Sequence, residues 1–139
     1  MKILFVFLLG LVSVKAFTQD SWKICLDKKT VLKTSVEDAE KNVIKLTAAH
    51  LQKAKTFLVS YKAATPKKGW ERTIIIYDEK DQELKKQAGQ KFSLPISELK
   101  SLLQKSKTLK IYTISLPTDP KLKAQVRVRR VHLCTLVLQ

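Results

Sequence analysis

The residues of this chain that come closest to a catalytic or metal-binding set are two cysteines and two histidines: Cys25, Cys134, His50 and His132. His132 and Cys134 are two positions apart in a segment that alternates like a strand, so we expect both side chains on one face. A structural zinc ion takes four ligands, and a copper electron-transfer site usually has an axial methionine, yet the only methionine is Met1. We therefore favour a packing role for His132 and Cys134, and no metal is predicted.

Catalytic motifs do not accompany these side chains. A reactive cysteine needs a base and a third group that orients the base, and the sequence has neither Gly-x-Ser-x-Gly nor a glycine-rich phosphate loop. The carboxylates of Asp78–Glu83 alternate with solubilising residues, as in a solvated turn. The sequence favours a non-catalytic binding or structural module without a cofactor. A small secreted hydrolase or metal-dependent enzyme with an unrecognised site is the alternative.

Positive charge is the strongest chemical signal, because 27 lysines and arginines face only 12 aspartates and glutamates. The predicted anion-binding surface lies near the C-terminus and consists of Lys110, Lys121, Lys123, Arg127, Arg129 and Arg130. Such a surface attracts anions, and the arginine fork fits phosphate, sulfate or carboxylate. The candidate partners are anionic polysaccharide, lipid headgroups of the envelope surface, or an acidic protein. A solvated face that keeps the domain soluble is the alternative.

The N-terminal residues predict export. Met1–Lys2 is a cationic start, Ile3–Val14 is an almost unbroken apolar run, and Ala16 is a small residue at the end of that run. This is the layout of a secretory signal peptide, with cleavage after Ala16 or after Thr18. An uncleaved membrane anchor is the alternative, although spanning a bilayer takes about 20 apolar residues.

Removal of a signal peptide would set the bounds of the domain, and export would restrict its candidate partners. Residues 1–16 are the predicted signal peptide, and residues 17–139 are a single β-rich domain that is secreted or periplasmic. Removing Lys2 and Lys15 leaves 25 basic and 12 acidic residues, a formal net charge of +13. Intracellular nucleic acid is not a favoured partner of an exported protein, and no later segment is apolar enough to span a membrane.

The two cysteines lie near opposite ends of the mature chain. In an oxidising compartment Cys25 and Cys134 are candidates for one disulfide. Closing a loop of about 100 residues would stabilise the fold by about 4–5 kcal/mol in the chain-entropy model. Two half-buried free thiols are the alternative, since both residues lie within strand patterns.

A hydrophobic period of two predicts strands through most of the chain. The predicted strands are Trp22–Leu26, Thr30–Lys33, Asn42–Thr47, Thr56–Lys62, Trp70–Tyr77, Glu83–Gln87, Phe92–Leu94 and Thr108–Leu116. One helix is predicted at Ile96–Lys105, where Leu99, Leu102 and Leu103 share a face, and Ala48–Lys55 is either a helical turn or a loop. Trp22 and Trp70 each open a strand and are expected to pack at the ends of the core rather than to bind sugar rings.

The last predicted strand, Ala124–Leu138, changes its period in the middle. A β-bulge at Arg129–Arg130 would place Val126 and Val128 on the same face as Val131 and Leu133, and two short strands with a break between them are the alternative. The predicted fold is an antiparallel two-sheet β-sandwich with one short helix. An α+β fold with the helix on an open antiparallel sheet is the alternative.

Three segments, Trp22–Ser35, Trp70–Leu84 and Ser115–Leu133, resemble small exported bacterial proteins that carry no assigned activity. The resemblance extends over most of the mature chain and leads to no named family. It implies a single exported β-rich domain and no site residues.

Overall fold

The computed structural model describes residues 19–139, so the predicted signal peptide lies outside the described residues. Strand is the commonest structure in the described chain, as the period of two predicted. The strands are β1 (Ser21–Leu26), β2 (Lys29–Thr34), β3 (Val43–Leu46), β4 (Thr56–Lys62), β5 (Trp70–Tyr77), β6 (Glu83–Ala88), β7 (Lys91–Pro95), β8 (Thr108–Pro117) and β9 (Val131–Leu138). The helices are α1 (Ala48–Lys53), α2 (Ile96–Ser106) and α3 (Pro120–Gln125).

The strands form two sheets, one of four strands in the order β2-β1-β4-β7 and one of five in the order β3-β9-β8-β5-β6. Neighbouring strands are antiparallel except β3 and β9, which run parallel. The prediction of purely antiparallel sheets is therefore wrong at this pair. β3 lies at the edge of the sheet and β9 follows it only after most of the chain, so no tight turn joins the two strands and no hairpin requires them to be antiparallel.

The hydrophobic core is one cluster that receives side chains from both sheets and from α2. Phe57, Val59 and Tyr61 enter this cluster from β4, as their alternation predicted. Trp22 is also buried in it, stacks on Tyr61 with ring centroids 6.0 Å apart, and donates its indole N–H to the carbonyl of Leu133 at 2.9 Å. This hydrogen bond links β1 of one sheet to β9 of the other, so Trp22 packs in the core as expected.

The helices agree with the sequence in part. The predicted helix Ile96–Lys105 is confirmed as α2, which buries Leu99 and Leu103 against the core. The ambiguous segment after β3 is helical as α1, because the Thr47 hydroxyl accepts the N–H of His50 and caps its first turn. None of the helices in residues 19–139 is long and apolar enough to cross a membrane.

The predicted final strand is wrong in its first half. Residues 120–125 form α3, whose first turn is capped by Asp119, since its carboxylate accepts the N–H of Lys121 at 2.9 Å. Pro120 at the first helical position fits this start because its ring presets the helical φ angle. Residues 126–130 follow without regular structure, and β9 begins only at Val131.

The bulge lies four residues later than predicted. Ile111 of β8 pairs with Cys134, and Tyr112 pairs with His132, so Leu133 has no partner in the β8–β9 register. Two consecutive residues, Leu133 and Cys134, consequently enter the core cluster. His132 points to the opposite face, where its ring meets that of Tyr112. The expectation that His132 and Cys134 share a face is therefore wrong.

The predicted disulfide between Cys25 and Cys134 is not present in the structure. Both cysteines are free thiols, and both are buried. Cys134 belongs to the core cluster. Cys25 follows the core residue Ile24 in β1, so it faces the other side of the sheet, and its sulfur lies 3.7 Å from the Thr30 hydroxyl. The two side chains leave their sheets toward different surroundings, which keeps the sulfur atoms apart.

Candidate anion-binding surface

The charged segment between β8 and β9 meets the loop after β2, and together residues 36–37 and 119–130 form what we call the basic surface. Two contacts join the segments. The guanidinium of Arg129 lies 2.7 Å from Oε1 of Glu37, and the backbone N–H of His132 donates to Oε2 of the same carboxylate at 3.1 Å. Glu37 thus ties the loop after β2 both to Arg129 and to the start of β9, and it neutralises Arg129.

Arg130 fixes the same segment to the outer face of the five-stranded sheet. Its guanidinium carbon lies 4.1 Å from the ring centroid of Tyr112 and 5.0 Å from that of Tyr77. Its Nη2 also lies 3.2 Å from Oδ1 of Asp81, which Lys110 approaches at 3.7 Å. Cation–π contacts of this kind contribute about 0.5–2 kcal/mol each. Arg130 is therefore a structural anchor, and Lys110 shares its counter-ion.

Beneath Arg130 three rings pack edge to face. Tyr77 and Tyr112 have centroids 5.5 Å apart, and Tyr112 and His132 have centroids 5.3 Å apart. His132 places Nε2 at 2.8 Å from the Thr135 hydroxyl, while its buried Nδ1 has no hydrogen-bond partner. Burial lowers the pKa of His132 below 6.5, against the opposing effect of Glu37. The ring is consequently neutral at pH 7.

The three other predicted residues are free cations. Lys121, Lys123 and Arg127 are exposed, and none of them forms an ion pair with a carboxylate among residues 19–139. The six residues predicted to bind anions thus divide into two groups of three. Lys110, Arg129 and Arg130 each approach a carboxylate, and the two arginines hold the basic surface in place. Lys121, Lys123 and Arg127 present unneutralised charge to solvent.

The basic surface also carries apolar side chains that sequence patterns did not single out. In the part of the chain that the structure describes, the exposed large hydrophobic residues are Val36 (61%), Leu122 (50%) and Val128 (43%). All three belong to the basic surface, and α3 has no buried residue at all. The sequence predicted Val128 as a core-facing residue of the last strand. In the structure residues 126–130 are not strand, and Val128 is exposed.

The geometry does not assemble the catalytic or metal site considered above. His132 and Cys134 lie on opposite faces of β9, and burial raises the pKa of the Cys134 thiol, which keeps it protonated and unreactive. Among residues 19–139 no group of three or more histidine, cysteine and carboxylate side chains is placed to hold a metal ion. His50 lies apart in α1, where its Nδ1 accepts the N–H of Thr47 at 3.3 Å.

A second aromatic feature lies at the opposite end of β5. Trp70 is half-buried, and the ammonium of Lys67 lies 4.7 Å from its ring centroid, at the rim of a cleft of about 550 Å³. Since Trp22 is buried in the core, the two tryptophans do not form an exposed pair. Trp70 is therefore a single, cation-covered ring rather than a sugar-stacking platform.

A polar cluster closes this end of the molecule. The Tyr61 hydroxyl donates to Asp20 at 2.6 Å, and the N–H of Ala64 donates to the same carboxylate at 2.8 Å. Burial and the hydrogen bond to Asp20 raise the pKa of Tyr61 to about 12. Burial alone would raise the pKa of Asp20, but the bonds from Tyr61 and Ala64, together with Arg72, lower it. We assign this cluster a structural role.

No protein-family model matches this chain, and no curated protein matches its sequence significantly. The function is therefore inferred from the chemistry of the chain's own residues.

Proposed function

We propose that this protein is an exported, non-catalytic β-sandwich module that docks reversibly on anionic lipid through the basic surface. The signal-like N-terminus supports export. The single hydrophobic cluster shared by both sheets and the hydrogen bond from Trp22 to Leu133 support the sandwich arrangement. The docking function is supported by the composition of the basic surface.

The observation that carries the proposal is the coincidence of free cations and exposed apolar side chains on one surface. Lys121, Lys123 and Arg127 alternate along α3 and its following loop with Leu122 and Val128. A lysine or arginine near an anionic membrane contributes about 1 kcal/mol. Burying the exposed half of Leu122 contributes about 1 kcal/mol more. The three cations and Leu122 together contribute about 4 kcal/mol, which corresponds to roughly a thousandfold enrichment at the surface and hence to weak, reversible attachment.

The apolar residues favour lipid over the other anionic partners. A charged polysaccharide would neutralise the cations but would leave Leu122 and Val128 in water. A lipid surface offers phosphate to the cations and an acyl boundary to the apolar side chains, in the manner of interfacial amphipathic segments. An acidic protein with a complementary apolar patch is the second candidate, and failure to bind both anionic vesicles and a sulfated polysaccharide would favour it over lipid.

Vesicle cosedimentation of the mature protein tests the proposal. We expect binding to vesicles of phosphatidylglycerol and phosphatidylcholine, no binding to phosphatidylcholine alone, and loss of binding as salt rises. The variant Lys121/Lys123/Arg127→Ala should bind about 30-fold to 150-fold more weakly, since it loses about 2–3 kcal/mol. A matched control, Lys91/Lys100/Lys105→Ala, removes the same charge from exposed positions outside the basic surface and should change binding less than about threefold.

Leu122→Ser separates lipid from polymeric anions, because it removes apolar area and no charge. It should weaken vesicle binding about fivefold, which corresponds to about 1 kcal/mol. If both triple variants lose vesicle binding equally, the vesicles attract the protein through its net charge alone. Retention on a sulfated polysaccharide column with no vesicle binding would assign the basic surface to polysaccharide, and the lipid proposal would be wrong.

A further inference from the structure

A cleft of about 750 Å³ lies away from the basic surface, between the turn that joins β1 to β2, the edge strand β3, and α1. Its volume is in the range of small-molecule sites in proteins. The apolar side chains that line it include Val31 and Val43, which are half-buried, and Ile44 and Leu46, which belong to the core cluster. The cleft therefore reaches from the surface to the hydrophobic interior.

The rim of the cleft is strongly cationic. Lys28, Lys29, Lys45 and Lys53 all line it, and none forms an ion pair with a carboxylate in residues 19–139. The one acidic lining residue is Asp27, and its Oδ1 is occupied because it accepts the backbone N–H groups of both Lys55 and Thr56 at 3.0 Å. A lining that combines apolar side chains with four lysines without ion pairs matches a ligand with an apolar body and an anionic head.

The edges of both sheets meet at this cleft, since β2 ends one sheet and β3 ends the other. The carbonyls of Asn42 and Leu46 accept N–H groups from the β9 side, so the backbone groups of Val43 and Lys45 point away from β9. Val43 and Lys45 alone would give an added peptide strand few backbone hydrogen bonds. A lysine on a short edge strand also discourages strand addition. The wall of four strand residues, about 13 Å long, suits one medium-length acyl chain instead.

We propose that this cleft binds a single-chain fatty acid, with the acyl chain along Val31 and the edge strand β3 and the carboxylate among the four lysines. Ammonium groups are compact point charges that attract a carboxylate without a fixed orientation. His50 lines the same cleft, and because its Nδ1 accepts the N–H of Thr47, the neutral ring carries its proton on Nε2 as a further donor. This site is separate from the basic surface and does not depend on lipid docking there.

Octanoate is a soluble probe for this site, and nuclear magnetic resonance of the mature protein locates its binding. We expect shifts of the amide signals of Val31, Val43 and Ile44. Acetate has the head without the chain, and 1-octanol has the chain without the charge. Octanoate should bind at least tenfold more tightly than either, because only octanoate uses both the walls and the rim.

Variants separate the contribution of the lysine charges to octanoate binding from that of the apolar lining. Lys28/Lys29/Lys45/Lys53→Gln should weaken octanoate at least tenfold and leave 1-octanol unchanged, whereas Val43→Ser should weaken both. The matched control Lys33/Lys62/Lys91/Lys100→Gln removes the same charge at exposed positions that do not line the cleft and should bind octanoate like the wild type.

Three outcomes would overturn the proposal: shifts absent from the cleft amides, octanoate binding no tighter than acetate, or octyl phosphate binding more tightly than octanoate. The last outcome would assign the cleft to phosphate esters. The triple variant Lys121/Lys123/Arg127→Ala should keep full octanoate affinity, so failure of the lipid-docking proposal and failure of this one are distinguishable.

Discussion

Replacing Arg130 by alanine should destabilise the fold, whereas replacing Lys121 should not, because Arg130 anchors the basic surface and Lys121 does not. The guanidinium of Arg130 covers two tyrosine rings, at 4.1 Å for Tyr112 and 5.0 Å for Tyr77, and lies 3.2 Å from the Asp81 carboxylate. Lys121 is exposed in α3 and has no ion-pair partner in the described part of the chain.

The magnitude follows from these contacts. An exposed cation–π contact contributes about 0.5–1 kcal/mol, and an exposed ion pair contributes about 0–1 kcal/mol. Because 38% of the Arg130 side chain is exposed to solvent, we expect the cation–π and ion-pair energies to lie below the upper ends of these two ranges. We expect Arg130→Ala to lower the free energy of unfolding by about 1–2 kcal/mol, or Tm by roughly 3–10 °C for a domain of this size. Lys121→Ala should stay within about 0.5 kcal/mol of the wild type.

Urea unfolding, followed by tryptophan fluorescence, measures both variants on one scale. Arg130→Lys is the matched control, since it keeps the charge near Asp81 but loses the planar stack on the rings, and it should fall between the wild type and Arg130→Ala. If Arg130→Ala unfolds like the wild type, or if Lys121→Ala loses as much stability as Arg130→Ala, the division into anchors and free cations is wrong.

Three further predictions concern buried groups. Burial lowers the pKa of His132 in the folded protein, so as pH falls the imidazole is protonated in the unfolded chain before it is protonated in the folded protein. The free energy of unfolding should therefore decrease as pH falls below about 6.5. His132→Gln should reduce this pH dependence in urea titrations. Tyr61 should ionise at about pH 12 in ultraviolet difference spectra, and Asp20→Asn should lower that value by removing the charged acceptor. Cys25 and Cys134 should resist thiol reagents in the native protein and both react after unfolding, and an intact mass two hydrogens lighter would contradict free thiols.

Local patterns predicted much of the fold. The alternation of Phe57, Val59 and Tyr61 identified a core-facing strand because one face of β4 is fully buried. The spacing of Leu99 and Leu103 identified α2 for the same reason. The signal for α3 was also present, since Asp119 followed by Pro120 is a helix start, but the alternating residues beyond Gln125 made the segment read as strand.

Long-range contacts account for what local patterns missed. The bulge at Leu133 is set by pairing with Ile111 and Tyr112 on β8, and a period of two cannot locate it without the partner strand. Glu37 and Arg129 are 92 residues apart, so their ion pair could not be read from spacing. The sequence shows where lysines and arginines are concentrated, but it cannot tell anchoring residues from free ones.

The most direct test of lipid docking places an environment-sensitive fluorophore on the basic surface. Leu122→Cys is suitable because Cys25 and Cys134 are buried, so labelling of the folded mature protein is selective. Lys100→Cys, at an exposed position of α2, is the matched control. With anionic vesicles we expect a blue shift and increased intensity from the label at position 122 and no change at position 100. No change at position 122, or equal changes at both positions, would contradict docking through the basic surface.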